Sequence, residues 1–310
     1  MSITPHGLHH VTAIARDPQQ NVDFYAKVLG LRLVKQTVNF DAPHIWHLYY
    51  GDEAGSPASL MTFFPWPGVS RGMVGAGITS VTSFSIPVGS TGWWQSRLSS
   101  LSVPVLPLTS SAIGLSLQDP DGMLLELIES PGDERSGWDG YGAIPQEHAI
   151  RGLHAVTFSE RDLEPTALML TEMLGMQLGE DDRNFQMASG GAGAEVKIDP
   201  GAKERSLQAG GTVHHVAFRA PDLQTMTLWQ QELIERGVGV TEIMDRQYFK
   251  SIYFREPGGV LFEIATDDPG FAIDEPLLEL GRSLKLPPWL EPSREQIAAS
   301  LPKLEAPNAS

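Results

Sequence analysis

GLHHVTAIARD (7–17) returns as GLHAVTFSERD (152–162) and, more loosely, as TVHHVAFRAPD (212–222). In each copy an alternating apolar segment ends on an Asp, namely Asp17, Asp162 or Asp222, seven residues after the position of His10. Alternation marks a half-buried strand, and Asp is a favoured helix N-cap because its carboxylate accepts from the free N–H groups of the first turn. VDFYAKVLG (22–30) and its counterpart closing at Gly175 end in Gly, the residue that enters the left-handed C-cap without steric cost. Each copy therefore opens strand, then helix.

A second repeat marks the far end of the unit. QDPDGMLLELIE (118–129) aligns with REPGGVLFEIAT (255–266), placing Pro120 over Pro257, Gly122 over Gly259 and Glu126 over Glu263. Both read as a turn feeding a strand. SFSIPVGS (83–90), followed by WWQSRL, supplies a strand-to-helix opening for the unit that Glu126 closes. Four units result, over 7–65, 78–129, 151–200 and 211–266, each long enough for one strand, one helix and three further strands. A lone unit leaves open sheet edges and too small a core, so units are expected to pair into curved sheets with concave faces inward. The predicted fold class is α+β, four βαβββ modules in two paired half-barrels. Along the chain, residues 1–136 form one pair of modules, and 147–310 hold the other pair together with a C-terminal arm. The Gly-, Asp- and Pro-rich stretch 131–146 is the linker.

Composition narrows the chemistry. The chain has 310 residues, 41% apolar and 19% charged, with no apolar run near the roughly 20 residues that span a bilayer. A net charge of −16, with no Lys/Arg cluster, disfavours nucleic acid as a partner. Without cysteine there is no disulfide, thiolate nucleophile or thiolate metal site, so any metal must be held by His and carboxylates. MSITPHGLHHVTA carries no basic segment ahead of an apolar one, and a cytoplasmic protein is the expectation. A homo-oligomer is compatible with all of this.

Paired modules send the side chains of their opening and closing strands into one central cavity. His10, Ser83, Ala155 and His215 stand at the opening positions. At the closing positions module 1 has no carboxylate between Ala58 and Trp66, whereas Glu126, Glu195 and Glu263 serve the others, Glu195 as the loosest match. Only the union of modules 1 and 4 assembles two imidazoles and a carboxylate: His10, His215 and Glu263. Such a triad on one face leaves neighbouring coordination positions free, the arrangement used by Fe(II) in oxygen chemistry, with Mn(II) as a relative. His9 and His10 are strand neighbours, as are His214 and His215, and successive side chains alternate faces, so one of each doublet is a ligand. Module 3 keeps His154 in the frame of His9 and has Ala155 in that of His10, which selects the second His. Glu126 is read as structural, His44, His47 and His148 as ordinary, and Trp93 and Trp94 as packing.

GLHHVTAIARDPQQNVDFYAKVLGLRLVKQTVNFD (7–41), the HHVAF doublet (214–218), YFKSIYFREPGGVLFEIATD (248–267) and IPQEHAIRGLH (144–154) together resemble the glyoxalase/vicinal-oxygen-chelate superfamily. More narrowly they are similar to its hydroquinone ring-cleaving dioxygenases and to bacterial ring-cleaving dioxygenases associated with quinone detoxification. The resemblance runs from Gly7 to about Pro288. It implies four βαβββ modules and one Fe(II) held by the second His of each doublet and the closing-strand Glu, that is His10, His215 and Glu263. It also implies a surrounding set of His9, Thr12, His214, Arg246 and Tyr253. On an ideal strand His9 and His214 point away from the metal and steady the ligand strands.

The implied reaction is insertion of O2 into a small dihydroxy aromatic, beside a hydroxyl-bearing carbon. Tyr253 and His214 manage protons and Arg246 stabilises anionic oxygen. Two rivals belong to the same superfamily: a metal-dependent isomerase or lyase of the glyoxalase type, which has a fourth protein ligand, and a metal-free binder of small aromatics. The tail with LPPWLEPSREQIAASLP (286–302) is expected to pack as an arm with one short helix, over the cavity or at a subunit contact.

Overall fold

The computed structural model describes residues 3–108, 110–139, 142–179 and 181–307. The repeated sequence frame becomes a repeated structural one. Module 1 runs through an opening strand Leu8–Ala15, a helix Pro18–Val22 that widens into a π-turn Asp23–Val28, and strands Arg32–Asn39, Ala42–Gly51 and Leu60–Pro65. Module 2 has Ile78–Ile86, helix Thr91–Ser100, Val105–Leu106, Gly114–Gln118 and Leu124–Glu129. Module 3 has Gly152–Glu160, helix Leu163–Leu168 with π-turn Met169–Met173, Gln177–Leu178, Asn184–Gln186 and Glu195–Pro200. Module 4 has Thr212–Ala220, helix Leu223–Glu235, Met244–Asp245, Phe249–Arg255 and Leu261–Pro269.

The helix boundaries follow from local chemistry. Asp17 Oδ1 accepts from Gln20 N at 2.8 Å and Asp222 Oδ1 from Thr225 N at 2.7 Å, while Asp162 holds the N-cap position without such a bond. Gly30 and Gly175 end their helices at φ 70° and 59°. At Gly30 a Cβ would also meet Ile144 Cδ1 at 2.2 Å, so the linker side chain packs directly against the glycine.

Two eight-stranded sheets result, and each has the same order. The opening strands of two modules lie antiparallel at the centre, each flanked by the parallel closing strand of its own module and then by the third and second strands. Modules 1 and 4 build one sheet, modules 2 and 3 the other. Residues 1–136 and 147–310 thus each give one module to each sheet. One apolar cluster runs through both, with Phe158 of module 3 against Phe262 of module 4 at 5.4 Å between ring centroids. No helix among the described residues is long and apolar enough to cross a membrane.

The C-terminal arm lies along the outer strand of module 1. Lys285 N donates to Gln36 O at 2.9 Å and Gln36 Nε2 to Gly281 O at 2.7 Å, occupying an edge that would otherwise be open. Lys35, fully buried, donates to Asp274 Oδ1 at 2.6 Å, to Phe271 O at 3.1 Å and to Glu275, which together satisfy its ammonium. The arm contains one short α-helix, Arg294–Ser300, after three 3₁₀ turns. Its Trp289 meets Phe40 edge-on at 5.6 Å, and Phe40 lines the cavity described next.

Candidate metal centre

Strand alternation fails at both His doublets, and the register shows why. Leu8 pairs with Phe218 and His10 with Ala217, so His9 is an extra residue; Thr12 pairs with His215 and Ala13 with Val213, so His214 is another. A β-bulge re-aims the side chains around it. The two rings of each doublet therefore touch instead of standing on opposite faces: His9 Nδ1 lies 2.8 Å from His10 Nδ1, and His214 Nδ1 lies 2.8 Å from His215 Nδ1. The expectation that His9 and His214 point away holds for an ideal strand only. His214 lines the same cavity as His215, whereas His9 floors a separate small cleft.

At the centre of this sheet three donor atoms converge. His10 Nε2 is 3.2 Å from His215 Nε2, and Glu263 Oε2 is 3.3 Å from the first and 2.9 Å from the second. All three residues are buried, Glu263 to 0% exposure. Glu263 Oε2 makes no hydrogen bond of acceptable angle despite these short approaches, as expected of lone pairs aimed at a common point. Donor atoms bound at about 2.1 Å in adjacent octahedral positions stand about 3.0 Å apart, so the observed spacing fits a single divalent ion. Imidazole and carboxylate donors without sulfur suit Fe(II) or Mn(II).

The hydrogen bonds behind the donors fix their tautomers. Thr266 O, which can only accept, lies 3.2 Å from His9 Nε2, so that nitrogen carries hydrogen. Burial and the adjacent His10 push His9 down to about 3, so the ring is neutral and its Nδ1 is bare. His9 Nδ1 then accepts from His10 Nδ1–H and holds that ring with Nε2 turned to the centre, where a metal would take its lone pair. Burial alone would raise the Glu263 carboxyl, but His10 and His215 outweigh it and hold it well below the usual carboxylate range. Ser251 Oγ donates to the other oxygen, Oε1.

The donors open into a cavity of about 300 Å³. Phe40, Phe64 and Phe249 supply aromatic wall; His47, Tyr49, His214, Arg246 and Tyr253 supply polar groups. Arg246 Nε donates to Tyr253 OH at 3.2 Å and Arg246 Nη1 reaches Asp41 Oδ2 at 3.0 Å, bridging modules 4 and 1 across the mouth. Burial, then the charge on Glu263, raises the Tyr253 phenol, so it keeps its proton. Burial and His215 push His214 down to about 3. Thr12 is fully buried with Oγ1 2.7 Å from Thr62 Oγ1. His47, taken as ordinary from sequence, bonds Thr62 Oγ1 through Nε2 at 3.0 Å and Tyr49 OH through Nδ1 at 2.9 Å. Its only sequence signal was alternation with Tyr49 on a strand, which many structural residues share. A larger, more polar cleft of about 610 Å³ at the seam of the sheets, lined by Glu160, Arg205 and Arg255, contains no histidine.

The second sheet holds the same positions with other residues. Thr12 lies opposite His215, and its counterpart Thr157 lies opposite Val81. Ser83 pairs with Glu126 as Ala217 pairs with Glu263, so Val81 and not Ser83 stands in the place of His215. The period-two pattern of a strand allows that slip, and no His anchors the frame there. Glu195 pairs with Ala155 as Leu60 pairs with His10, which leaves Lys197, opposite Thr157, in the place of Thr62. Among the described residues, only His10, His215 and Glu263 form a group able to hold a metal.

A fold of four βαβββ modules with a His, His, Glu centre is shared by metal-dependent enzymes. The profile of the Glyoxalase/Bleomycin resistance protein/Dioxygenase superfamily matches residues 7–127 and 152–264, and the chain belongs to that superfamily. It is 45% identical over 302 residues to the "Putative ring-cleaving dioxygenase MhqE" of Bacillus subtilis (strain 168), covering 96% of this chain and 99% of that one. It is 36% identical over 310 residues to the chlorohydroquinone/hydroquinone 1,2-dioxygenase of Sphingobium indicum, covering 95% of each. A crystal structure of a "putative dioxygenase from Bacillus subtilis subsp. subtilis str. 168" superimposes with a TM-score of 0.94 at 40% identity, over 98% of this chain and 99% of that one.

Proposed function

We propose that this chain is an Fe(II)-dependent, extradiol-type ring-cleaving dioxygenase that inserts O2 into a hydroquinone, with catechols as the second class to test. The observation that carries the reading is the convergence of His10 Nε2, His215 Nε2 and Glu263 Oε2 at the floor of an aromatic-walled cavity. Similarity to the Sphingobium hydroquinone enzyme supports the para-diol preference. Bound at these donors, Fe(II) supplies acidification of a coordinated phenol and electrons for O2, which Mn(II) supplies less readily.

The surrounding residues divide the remaining work. Phe40, Phe64 and Phe249 exclude water and pack against an apolar ring. His214 faces the cavity beside His215 and is assigned to handling the proton of a substrate hydroxyl. Tyr253 receives a hydrogen bond from Arg246, so its own proton is free to be donated to oxygen that becomes anionic. Arg246 adds fixed positive charge beside that oxygen. His9 and Thr12 act on His10 and Thr62 respectively and hold them in place.

Anaerobic reconstitution with Fe(II), followed by oxygen uptake with a panel of hydroquinones and catechols, tests the reading. One O2 consumed per ring opened is expected. Uptake with none of the dihydroxybenzenes would leave the isomerase and the metal-free binder as the surviving alternatives.

A further inference from the structure

Modules 1 and 4 are related by an internal twofold, and the strand registers make the correspondence residue by residue. Tyr253 of the third strand pairs with Glu263 of the closing strand; Tyr49 pairs with Thr62. Glu263 lies beside Ala217, two residues past His215; Thr62 lies beside Thr12, two residues past His10. Thr62 is therefore the internal counterpart of Glu263. Two residues before each tyrosine stand Ser251 and His47, and each bonds its closing-strand partner: Ser251 Oγ to Glu263 Oε1, His47 Nε2 to Thr62 Oγ1 at 3.0 Å.

Length is exchanged within the pair. In module 4 the short side chain is on the third strand and the long one on the closing strand, and the long one reaches the centre. In module 1 the long side chain is His47 and the short one Thr62. Thr62 is fully buried and tied to Thr12, while the imidazole of His47 lines the cavity and packs on Tyr49 and Phe64 at 4.0 and 4.3 Å. Both His47 nitrogens are engaged by hydroxyls, Nδ1 by Tyr49 and Nε2 by Thr62, so neither is offered to a metal.

We infer that the His47–Thr62 pair is what leaves this internally twofold centre with three protein ligands, and that exchanging the pair for the module 4 arrangement supplies a fourth. The inference rests on the metal reading of the same site. It makes His47 a positioning residue and Thr62 the position that decides whether substrate or protein occupies one side of the ion.

The test is the double variant His47→Ser with Thr62→Glu. Its affinity for Zn(II) and Co(II), measured by competition with a chromophoric chelator, is expected to rise about tenfold or more over the parent, with a changed Co(II) absorption spectrum. Oxygen uptake of the Fe(II)-loaded variant with hydroquinone is expected to fall to background. Metal affinity equal to or below the parent's would overturn the inference, as would tighter binding with undiminished ring cleavage. Should the buried carboxylate prevent folding, His47→Ser with Thr62→Gln gives the same comparison with a neutral oxygen donor. If both double variants fail to fold while His47→Ser and Thr62→Val each fold alone, module 1 has no room for the longer side chain and the inference fails. A parent that takes up no oxygen would remove the ring-cleavage reading, yet the affinity comparison would still decide this one.

Discussion

The sheet of modules 1 and 4 and the sheet of modules 2 and 3 share strand order, central pairing and bulge positions, yet only the first gathers metal donors. Four inward positions correspond: His10, Thr62, His215 and Glu263 in one, Ala155, Lys197, Val81 and Glu126 in the other. The second sheet retains a buried glutamate but gives it a hydroxyl, Ser83 Oγ at 2.7 Å, in place of imidazoles. It also retains a His at the bulge, His154, bonded to Ser130 Oγ at 2.9 Å and pushed down to about 4, chiefly by burial. The architecture thus provides two equivalent sockets, and side-chain identity alone makes one of them a candidate metal site.

The largest test of that contrast is removal of donors. His10→Ala or Glu263→Gln should lower Fe(II) or Zn(II) affinity by at least ~100-fold, whereas Glu126→Gln should leave one high-affinity site per chain. Metal analysis after dialysis measures both. Retention of metal by Glu263→Gln together with its loss in Glu126→Gln would place the site in the wrong sheet.

Tyr253→Phe sharpens the contrast by separating chemistry from assembly. Ser116 takes the place of Tyr253 in the second sheet, opposite Glu126, so the phenol belongs to the socket with the two imidazoles alone. Turnover should fall about 100-fold with iron content unchanged. Iron lost in parallel with activity would instead make Tyr253 a structural support.

Smaller effects are expected where the sheets meet. Arg16 donates through N and Nε to Asp121 at 2.9 and 2.6 Å; at the corresponding contact Asp121 is replaced by Gly258, and Glu160 presses against it. A Cβ at Gly258 would lie 2.2 Å from Glu160 Oε2, so a larger residue there would have to displace that carboxylate. Glu160 Oε1 has no hydrogen-bond partner among the described residues, and burial, reinforced by Glu256, raises the carboxyl to about 8. The folded state therefore holds this proton more tightly than the unfolded chain, whose carboxyl titrates near the ordinary value. The associated stability is complete below that ordinary value and is lost as pH rises through about 8. Glu160→Gln should accordingly raise Tm more at pH 9 than at pH 5; an equal shift at both would show that Glu160 finds a partner when ionised.

The smallest change is predicted for Glu126→Gln itself, which keeps the bond from Ser83. Unfolding free energy should move by no more than about 1 kcal/mol, and oxygen uptake should not move. Denaturant titration and oxygen electrode readings check each.

The three donors were legible in the sequence because the repeat frame set His10 and His215 where the other modules have Ala155 and Ser83, and Glu263 over Glu126, so that only modules 1 and 4 together offered two imidazoles and a carboxylate. The frame also set the module limits, since strand alternation, Asp caps and terminal glycines are all local signals. The bulges at His9 and His214 were hidden: a bulge is a mismatch between two strands, and one strand's pattern does not record its partner's register. The role of His47 was hidden for the same reason, because its meaning comes from Thr62 and Thr12 on two neighbouring strands. Sequence alone, then, determined which side chains could serve as donors and how the chain divides into modules, properties written in local periodicity and repetition. Tertiary structure alone decided which hydroxyls and imidazoles stand behind those donors and what fills the fourth side of the centre. Those choices depend on cross-strand register, which is fixed only when distant modules bury their apolar faces against each other.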